Sequence, residues 1–364
     1  MKGTWIRKVW NRDGVTGRCL WVIFLPLSWL YSLGVQTRNF CYSAGLFRAR
    51  TLGQCVVSVG NLTVGGTGKT PACVWLAQEL SSRGLKVAIL SRGYKRSGRD
   101  LLVLRPGENS QDGTALEQEI AAAGDEPVMM ARIFGQSVAV GKQRYRSARQ
   151  LLENGSVDVF LLDDGFQHRQ LRRDIELLLL GADAKGSVLP SGPFREPRRN
   201  LRRADAYLIT GNQQEWLSQI PQSQRSSVFC GSLEAKCLVG LDSKEWKQHP
   251  LSRLGRCKIV MVAGIADPSS LYRMVFDWEG EIIETLEFPD HHAYSSLDWQ
   301  RINRAARKAD LIVTTEKDIL KLVRFPFARD KLLALRVGLA VENGDALIQK
   351  IVDKVEQKRI NATE

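Results

Sequence analysis

Apolar residues along this chain gather in short runs whose spacing switches between a strand period and a helix period. Residues 54–60 (Gln-Cys-Val-Val-Ser-Val-Gly) form a compact β-branched run and predict a buried strand. An apolar helical pattern follows through Trp75, Leu76 and Leu80 and ends near Arg83-Gly84. Residues 86–94 predict a second strand leading into a basic loop, and 157–162 a strand that closes on two carboxylates. Further strands are predicted at 206–210, 258–263, 281–288, 310–315 and 332–337, with helical patterns at 128–134 and 344–358. Strands alternating with helices imply a parallel sheet with right-handed crossovers, so the fold class is α/β. Residues 211–257 are polar and weakly periodic and read as a variable region.

One apolar run breaks the pattern. No charge occurs between Arg18 and Arg38, and residues 19–35 hold two tryptophans and a proline, Pro26. As a helix this run is about 26 Å long at about 1.5 Å per residue, marginal for a bilayer span of about 20 residues. Pro26 is expected to kink it. Five basic residues precede the run, so its N-terminus is expected on the cytoplasmic side. Trp5, Ile6, Val9 and Trp10 fall on one helical face, which suits a helix lying among headgroups. Residues 1–35 therefore read as an anchor that dips into one leaflet. A core helix and a signal peptide are the weaker alternatives.

The charge sharpens this picture. Of a net +13, residues 1–50 contribute +7 (eight basic, one acidic) and residues 165–203 contribute +5 (nine basic, four acidic). Clustering of this kind points to an anionic surface or ligand. The seven cysteines form no Cys-x-x-Cys pair, which argues against a zinc ribbon or disulfide framework and fits a reducing compartment. With 364 residues, the chain suits two domains.

Between the first strand and the first helix lies Asn61-Leu62-Thr63-Val64-Gly65-Gly66-Thr67-Gly68-Lys69-Thr70. Strand, glycine loop, helix is the setting of a P-loop, whose backbone N–H groups face a phosphate. Residues Thr63 to Thr70 are thus the candidate nucleotide cradle. Lys69 is expected to reach the β- and γ-phosphates and Thr70 to offer its hydroxyl to Mg²⁺. Thr63 stands where the usual pattern has its first glycine; Gly65 and Gly66 supply the flexibility. The carboxylates Asp163 and Asp164 end a strand, as Mg²⁺-holding acids do in P-loop proteins, and Gln167 and His168 follow. Arg92, at the end of the second strand, is placed for an anion.

Gly124-Asp125-Glu126-Pro127 opens a helix. By residue type Asp125 is a cap; the sharper alternative is a general base in phosphoryl transfer. Pro289-Asp290-His291-His292 holds two of only four histidines and carries no metal signature.

The motifs together resemble those of the tetraacyldisaccharide 4'-kinase family, the lipid A 4'-kinases of Gram-negative bacteria. They are Asn61–Pro71 with the Thr63 form of the loop, Ser-Arg-Gly-Tyr at 91–94, Gly-Asp-Glu-Pro at 124–127 and Leu-Asp-Asp-Gly-Phe-Gln-His at 162–168. Gly-Pro-Phe-Arg-Glu-Pro (192–197), Pro-Asp-His-His (289–292) and Thr-Thr-Glu-Lys-Asp (314–318) complete the set. The resemblance implies a P-loop NTPase-like parallel-sheet core, a second, smaller α/β domain joined by a hinge, and an N-terminal membrane-associating helix. It implies transfer of the γ-phosphoryl of ATP, with Mg²⁺, to the 4'-hydroxyl of an acylated glucosamine disaccharide 1-phosphate at the inner membrane's cytoplasmic face. Asp125 then matches the family's base, assisted by His291. Lys69, Thr70, Asp163, Asp164 and Gln167 fall in the nucleotide and metal region, and Arg92, Arg195 and Glu196 in the substrate region. The expected organisation is a membrane segment over 1–50, the nucleotide core over 51–185, the second domain over 186–340 and a helix over 341–364 that packs on the core.

Two rivals are weaker. A P-loop GTPase or metallochaperone needs a guanine motif, and in Thr315-Glu316-Lys317-Asp318 the Lys and Asp are adjacent, so the spacing fails. A nucleic-acid-binding protein is suggested only by charge, and no motif of that class is present, so no nucleic-acid partner is expected.

Overall fold

The computed structural model describes residues 2–361 except 95, 99, 108–112, 154, 243–244, 266 and 329. The chain divides into two compact units, residues 1–87, 144–232 and 340–364 in the first and 88–143 and 233–339 in the second.

In chain order, the first unit opens with helices α1 (Lys2–Asn11) and α2 (Gly14–Ser43), strand β1 (Cys55–Asn61) and helix α3 (Lys69–Ser82). The chain crosses at β2 (Val87–Ser91) and adds β3 (Leu102–Leu104), α4 (Gly113–Ala123), α5 (Asp125–Arg132) and β4 (Ser137–Val140) to the second unit. It returns through α6 (Arg144–Glu153), β5 (Val159–Asp163), β6 (Ile175–Leu180), β7 (Ala206–Ile209) and α7 (Gln213–Gln219). Strand β8 (Val228–Asp242) starts in the first unit and ends in the second. There follow β9 (Glu245–His249), β10 (Lys258–Ala263), α8 (Ser269–Asp277), β11 (Glu281–Glu287), α9 (Ser296–Ala305), β12 (Leu311–Thr315), α10 (Glu316–Leu322) and β13 (Leu332–Val341). Helix α11 (Gly344–Asn361) closes the chain.

In the first unit β1 pairs in parallel with β5 on one side and β6 on the other, β6 with β7, and β7 with the start of β8. Strands β1, β5, β6 and β7 are buried along their whole length, as expected for parallel strands covered on both faces. Helix α11 buries Leu347, Ile348, Ile351 and Val355 and packs on α3 and β1. In the second unit β2 and β4 are parallel with β3 antiparallel at their edge, while β11, β10, β12 and β13 run parallel in that order. Helix α10 packs on α5 and α4.

Three expectations change. Residues 186–232 cluster with the first unit, because β7 continues the sheet beside β6. Residues 88–143, expected in the nucleotide core, cluster with the second unit. The stretch 211–257 is not irregular: it holds α7, β9 and the 15-residue β8, whose middle alternates half-buried and exposed positions and so carries little apolar signal.

The N-terminal segment also differs in detail. Helix α2 runs unbroken through Pro26 for 30 residues and is long and apolar enough to cross a membrane. On α1, Val9 is buried rather than presented outward, and Gly17 of α2 lies so close that a Cβ there would sit 2.6 Å from the Lys8 carbonyl oxygen. The outward apolar face belongs to α2: Ile23, Leu27, Trp29, Leu30 and Leu33 are each more than half exposed. Its other side is polar and fixed. The hydroxyls of Ser28 and Ser191 are 2.6 Å apart, and Tyr31 donates to the Arg195 carbonyl at 3.1 Å.

Candidate functional site

The first cluster lies in the first unit, at the carboxyl ends of β1 and β5. Strand β1 ends at Asn61, the chain turns through Val64, Gly65 and Gly66, all exposed, and α3 begins at Lys69. Gly68 caps α3 at φ 79°, a left-handed conformation that favours glycine. The amide of Asn61 donates to Thr67 Oγ1 at 2.9 Å, the amide of Gln167 donates to the Asn61 carbonyl at 3.0 Å, and Val64 N–H donates to the Pro193 carbonyl at 2.8 Å. This lacing ties the loop to the end of β1, to Gln167 and to Pro193.

Asp163 is buried at the end of β5, with Cys73 Sγ 3.9 Å from its Oδ1. Asp164 follows at φ 50°, a conformation Asp tolerates better than most residues. The backbone after it is pressed against β1: a Cβ on Gly60 would sit 2.5 Å from Phe166 Cβ, so this turn requires glycine opposite it. Arg195 Nη1 donates to both Asp164 oxygens at 2.9 Å, and Lys69 Nζ stands 3.8 Å from Oδ1. Burial pushes the Asp164 carboxyl up, but Lys69 and Arg195 outweigh it and hold it below the ordinary carboxylate range. Arg144, itself buried, donates to the Asp163 carbonyl at 3.4 Å.

These residues fit a nucleotide with its divalent ion. The side-chain oxygens of Asn61 and Gln167 are buried without a hydrogen-bond partner beside the loop, acceptors left for a ligand or its water. Among the described residues no three His, Cys, Asp or Glu side chains form a ready metal cage. That matches Mg²⁺, which takes one or two carboxylates and fills its other positions with phosphates and water.

The second cluster lies wholly in the second unit. Asp125 begins α5 and is buried. His291 Nδ1 lies 2.8 Å from its Oδ2 and 3.0 Å from Oδ1. Lys321 Nζ, from α10, is 3.1 Å from Oδ2. Burial pushes the Asp125 carboxyl up, yet the hydrogen bond from His291 and the charges of Lys321 and Lys317 outweigh it, and the group is held far below the carboxylate range. An imidazole that donates from Nδ1 to a carboxylate carries its lone pair on Nε2. On its other side, His291 Nε2 lies 3.7 Å from Asp290 Oδ2.

A family model described as tetraacyldisaccharide-1-P 4'-kinase (LpxK) matches residues 20–356. The chain belongs to this family. It is 38% identical over 338 residues to the tetraacyldisaccharide 4'-kinase of Syntrophus aciditrophicus (strain SB), covering 87% of this chain and 88% of that one. It is 33% identical to the enzyme of the same name from Aquifex aeolicus (strain VF5), covering 91% and 98%. In fold it is similar, at a TM-score of 0.76 and 32% identity, to a crystal structure of "apo" form LpxK from Aquifex aeolicus in complex with ATP, covering 92% of this chain and 99% of that one.

Of the residues the family motifs single out, Thr63 to Thr70, Asp163, Asp164, Gln167, Arg195 and Glu196 fall in the first unit, and Arg92, Asp125 and His291 in the second. Arg92 is exposed on the loop after β2. Glu196, expected in the substrate region, has a fully buried side chain. It accepts from Asn39 at 3.0 Å, Asn200 at 2.6 Å, Arg203 at 2.9 Å and Arg38 at 3.3 Å, and so fastens α2 to the first unit. Sequence reasoning gave no role to Arg144, Lys317 and Lys321. The lysines lie in or just beyond Thr-Thr-Glu-Lys-Asp, four residues apart on one helix face, and that spacing was the available signal.

Glu196→Ala leaves Arg203 and its neighbours facing a void where their charge was matched. It is expected to cost about 3–5 kcal/mol, the range for breaking a buried pair. Thermal unfolding measures this, with proteolysis between α2 and β1 as a second readout; a cost under about 1 kcal/mol contradicts the fastening role. Asp125 carries a pH signature. Its folded carboxyl titrates below the ordinary 3.8, so its stabilisation is present above that value and is lost as pH falls through the folded one. The stability advantage of the wild type over Asp125→Asn should therefore shrink as pH drops from about 5 towards about 2. A urea-unfolding difference that stays constant over that window refutes the charged, paired carboxylate.

Proposed function

We propose that this protein is an ATP-dependent kinase that phosphorylates the 4'-hydroxyl of a tetraacylated glucosamine disaccharide 1-phosphate, the step that yields lipid IVA. The observation that carries this reading is the phosphate cradle between β1 and α3. There an exposed glycine loop, Lys69 at a helix start and the acidic end of β5 stand together, with Lys69 3.8 Å from Asp164. Membership of the family supplies the acceptor and supports the same reading.

The roles follow from the chemistry of each group. The backbone of 64–70 and the first turn of α3 bind the nucleotide phosphates. Lys69 exchanges its contact with Asp164 for the transferring phosphoryl group, whose charge it balances. Thr70, Asp163 and Asp164, with Gln167 beside them, would hold Mg²⁺, which would supply neutralising charge to the phosphates. Arg195 keeps Asp164 ionised and aimed. Asp125 orients His291 and stabilises the imidazolium that forms when His291 Nε2 takes the proton of the acceptor hydroxyl. This division differs from the sequence expectation, in which Asp125 was the base: a carboxylate held so far below its usual range is a weak proton acceptor. The N-terminal helix α2, with its outward apolar face and five basic residues before it, supports association with the cytoplasmic face of the inner membrane, where such a lipid is presented.

The decisive assay incubates the purified protein with labelled ATP, Mg²⁺ and the disaccharide 1-phosphate and looks for a bisphosphorylated lipid. Lys69→Ala should lower the rate at least about 10²-fold. Asp125→Asn and His291→Ala should each lower kcat by about 10²–10⁴-fold, with the double variant little worse than either. Near-normal turnover in folded Lys69→Ala removes the cradle from the reaction, and near-normal turnover in Asp125→Asn removes the dyad.

The membrane reading is tested without disturbing the docked side of α2. Changing exposed Ile23, Leu27 and Leu30 together to Glu should move the protein from the membrane to the soluble fraction at an unchanged melting temperature. Continued sedimentation with membranes at high salt places the attachment elsewhere.

A further inference from the structure

The reaction reading leaves α10 without a task, yet two of its lysines face the Asp125 carboxylate and the loop that carries His291. Lys321 is only 12% exposed, and its ammonium makes three contacts: Asp125 Oδ2 at 3.1 Å, the His292 carbonyl at 3.4 Å and Asp318 Oδ1 at 3.8 Å. Asp318, fully buried on the same helix, accepts from Gly264 N–H at 2.8 Å and from Thr315 Oγ1 at 2.6 Å. The Gly264 carbonyl in turn accepts the His291 N–H at 3.3 Å. His291 itself sits at φ 61°, a left-handed conformation that costs a non-glycine residue energy and persists only where its surroundings enforce it. A strained histidine is thus tied through Gly264 to one end of α10's polar face and through Asp125 to the other.

We propose that Lys321 is a positioning residue of the phosphoryl-transfer reaction, the third member of a Lys321–Asp125–His291 relay. It fixes Asp125 so that His291 donates from Nδ1 and turns Nε2, which lies 3.7 Å from Asp290 Oδ2, towards proton acceptance, and Asp318 holds both Lys321 and the His291 loop in register. The inference rests on the dyad proposed above and adds to it the group that sets its direction. Lys321 touches neither nucleotide nor acceptor; it acts through Asp125.

The other charges around Asp125 are committed elsewhere. Lys317 on α10 lies 3.3 Å from Glu126 and 3.6 Å from Asp290. From α4, Glu119 pairs with Arg132 and Glu117 with Arg324. Strands β3 and β4 carry no ionisable side chain. The Tyr94 ring centroid lies 5.5 Å from that of His291. Lys321 is therefore the cation whose removal most directly uncovers the Asp125 carboxylate.

Lys321→Met keeps the length of the side chain and removes the charge. It is expected to lower kcat about 10- to 100-fold, the scale of a misplaced catalytic group, at an unchanged KM for ATP. Without the cation, the Asp125 charge acts on His291 uncompensated and favours its protonated form, so the acid limb of the pH–rate profile should move upward; Lys321→Arg should move it back. A merely structural loss shifts neither limb. In the Asp125→Asn background, Lys321→Met should cost little more, because the two act as one unit. Full additivity, an unmoved acid limb or a kcat within twofold of wild type each overturns the proposal. If Asp125→Asn alone retains turnover, the dyad fails; if Asp125→Asn loses turnover while Lys321→Met does not, only the role of Lys321 fails. A melting temperature measured for every variant, with assays run well below it, separates these outcomes from unfolding.

Discussion

The carboxyl ends of parallel strands carry most of the motif residues of this protein, with Asp125, at the start of α5, the exception. A parallel strand must hand its chain to a crossover helix, and the turn between them exposes backbone groups that neither element satisfies. In the first unit β1 hands over to the glycine loop and Lys69, and β5 to Asp163 and Asp164. In the second, β12 hands over to Glu316, Lys317 and Lys321, β11 to the His291 loop and β10 to Gly264. Arg92 follows β2 in the same way. The sheet directions thus decide where charge can be concentrated, and the motifs are what occupies those turns.

Concentrated charge in buried turns raises a second constraint, since an uncompensated buried carboxylate does not stay ionised. The second unit contains both solutions. Asp125 is buried, but a hydrogen bond from His291 and two lysines outweigh the burial. Glu316 begins α10 and is also buried, and there burial wins: its carboxyl is pushed up to about 7 despite Arg336 Nε at 3.0 Å and the Val337 N–H at 3.4 Å. The two sites differ in the number of compensating cations. One partner leaves a buried acid near neutrality; three partners hold it firmly charged. Asp125, which bonds the His291 ring, has the second arrangement.

The same logic explains what was legible in the sequence. Strands β1, β2, β5, β7, β10, β12 and β13 announced themselves because buried parallel strands are apolar runs, and β11, largely exposed, through Ile282, Ile283 and Leu286. The first cluster was legible because its residues are sequence neighbours, Thr63 to Thr70 and Asp163 to Gln167. Strand β6 (Ile-Glu-Leu-Leu-Leu-Leu) escaped, because Glu176 interrupts a short run and its burial depends on Arg173, which no periodicity reveals. The dyad was not legible as geometry: Asp125 and His291 are 166 residues apart, and only the family resemblance paired them. Lys321 carries no motif, and its position matters only once α10 is packed on α5. Glu196 was legible as a charged motif residue, but the internal network it closes was not, since its partners Arg38 and Asn39 lie more than 150 residues away.

That network bears on the apolar helix. A 30-residue helix with a polar side and an exposed apolar side has two ways to be stable, insertion in lipid or burial in protein, and α2 divides between them. Its polar positions, Ser28, Tyr31, Arg38 and Asn39, are each bonded to the segment 191–196, while Trp29 and Leu33 point away, 73% and 61% exposed. Exposed apolar area on this scale is unfavourable in water at about 25 cal/mol per Å², so the outward face needs an apolar partner. The inward face fixes where that partner lies. Glu196, which accepts from Arg38 and Asn39, is adjacent in sequence to Arg195, which grips Asp164 at the phosphate cradle. Whatever α2 is embedded in is therefore held at a fixed distance from the nucleotide site through two consecutive residues.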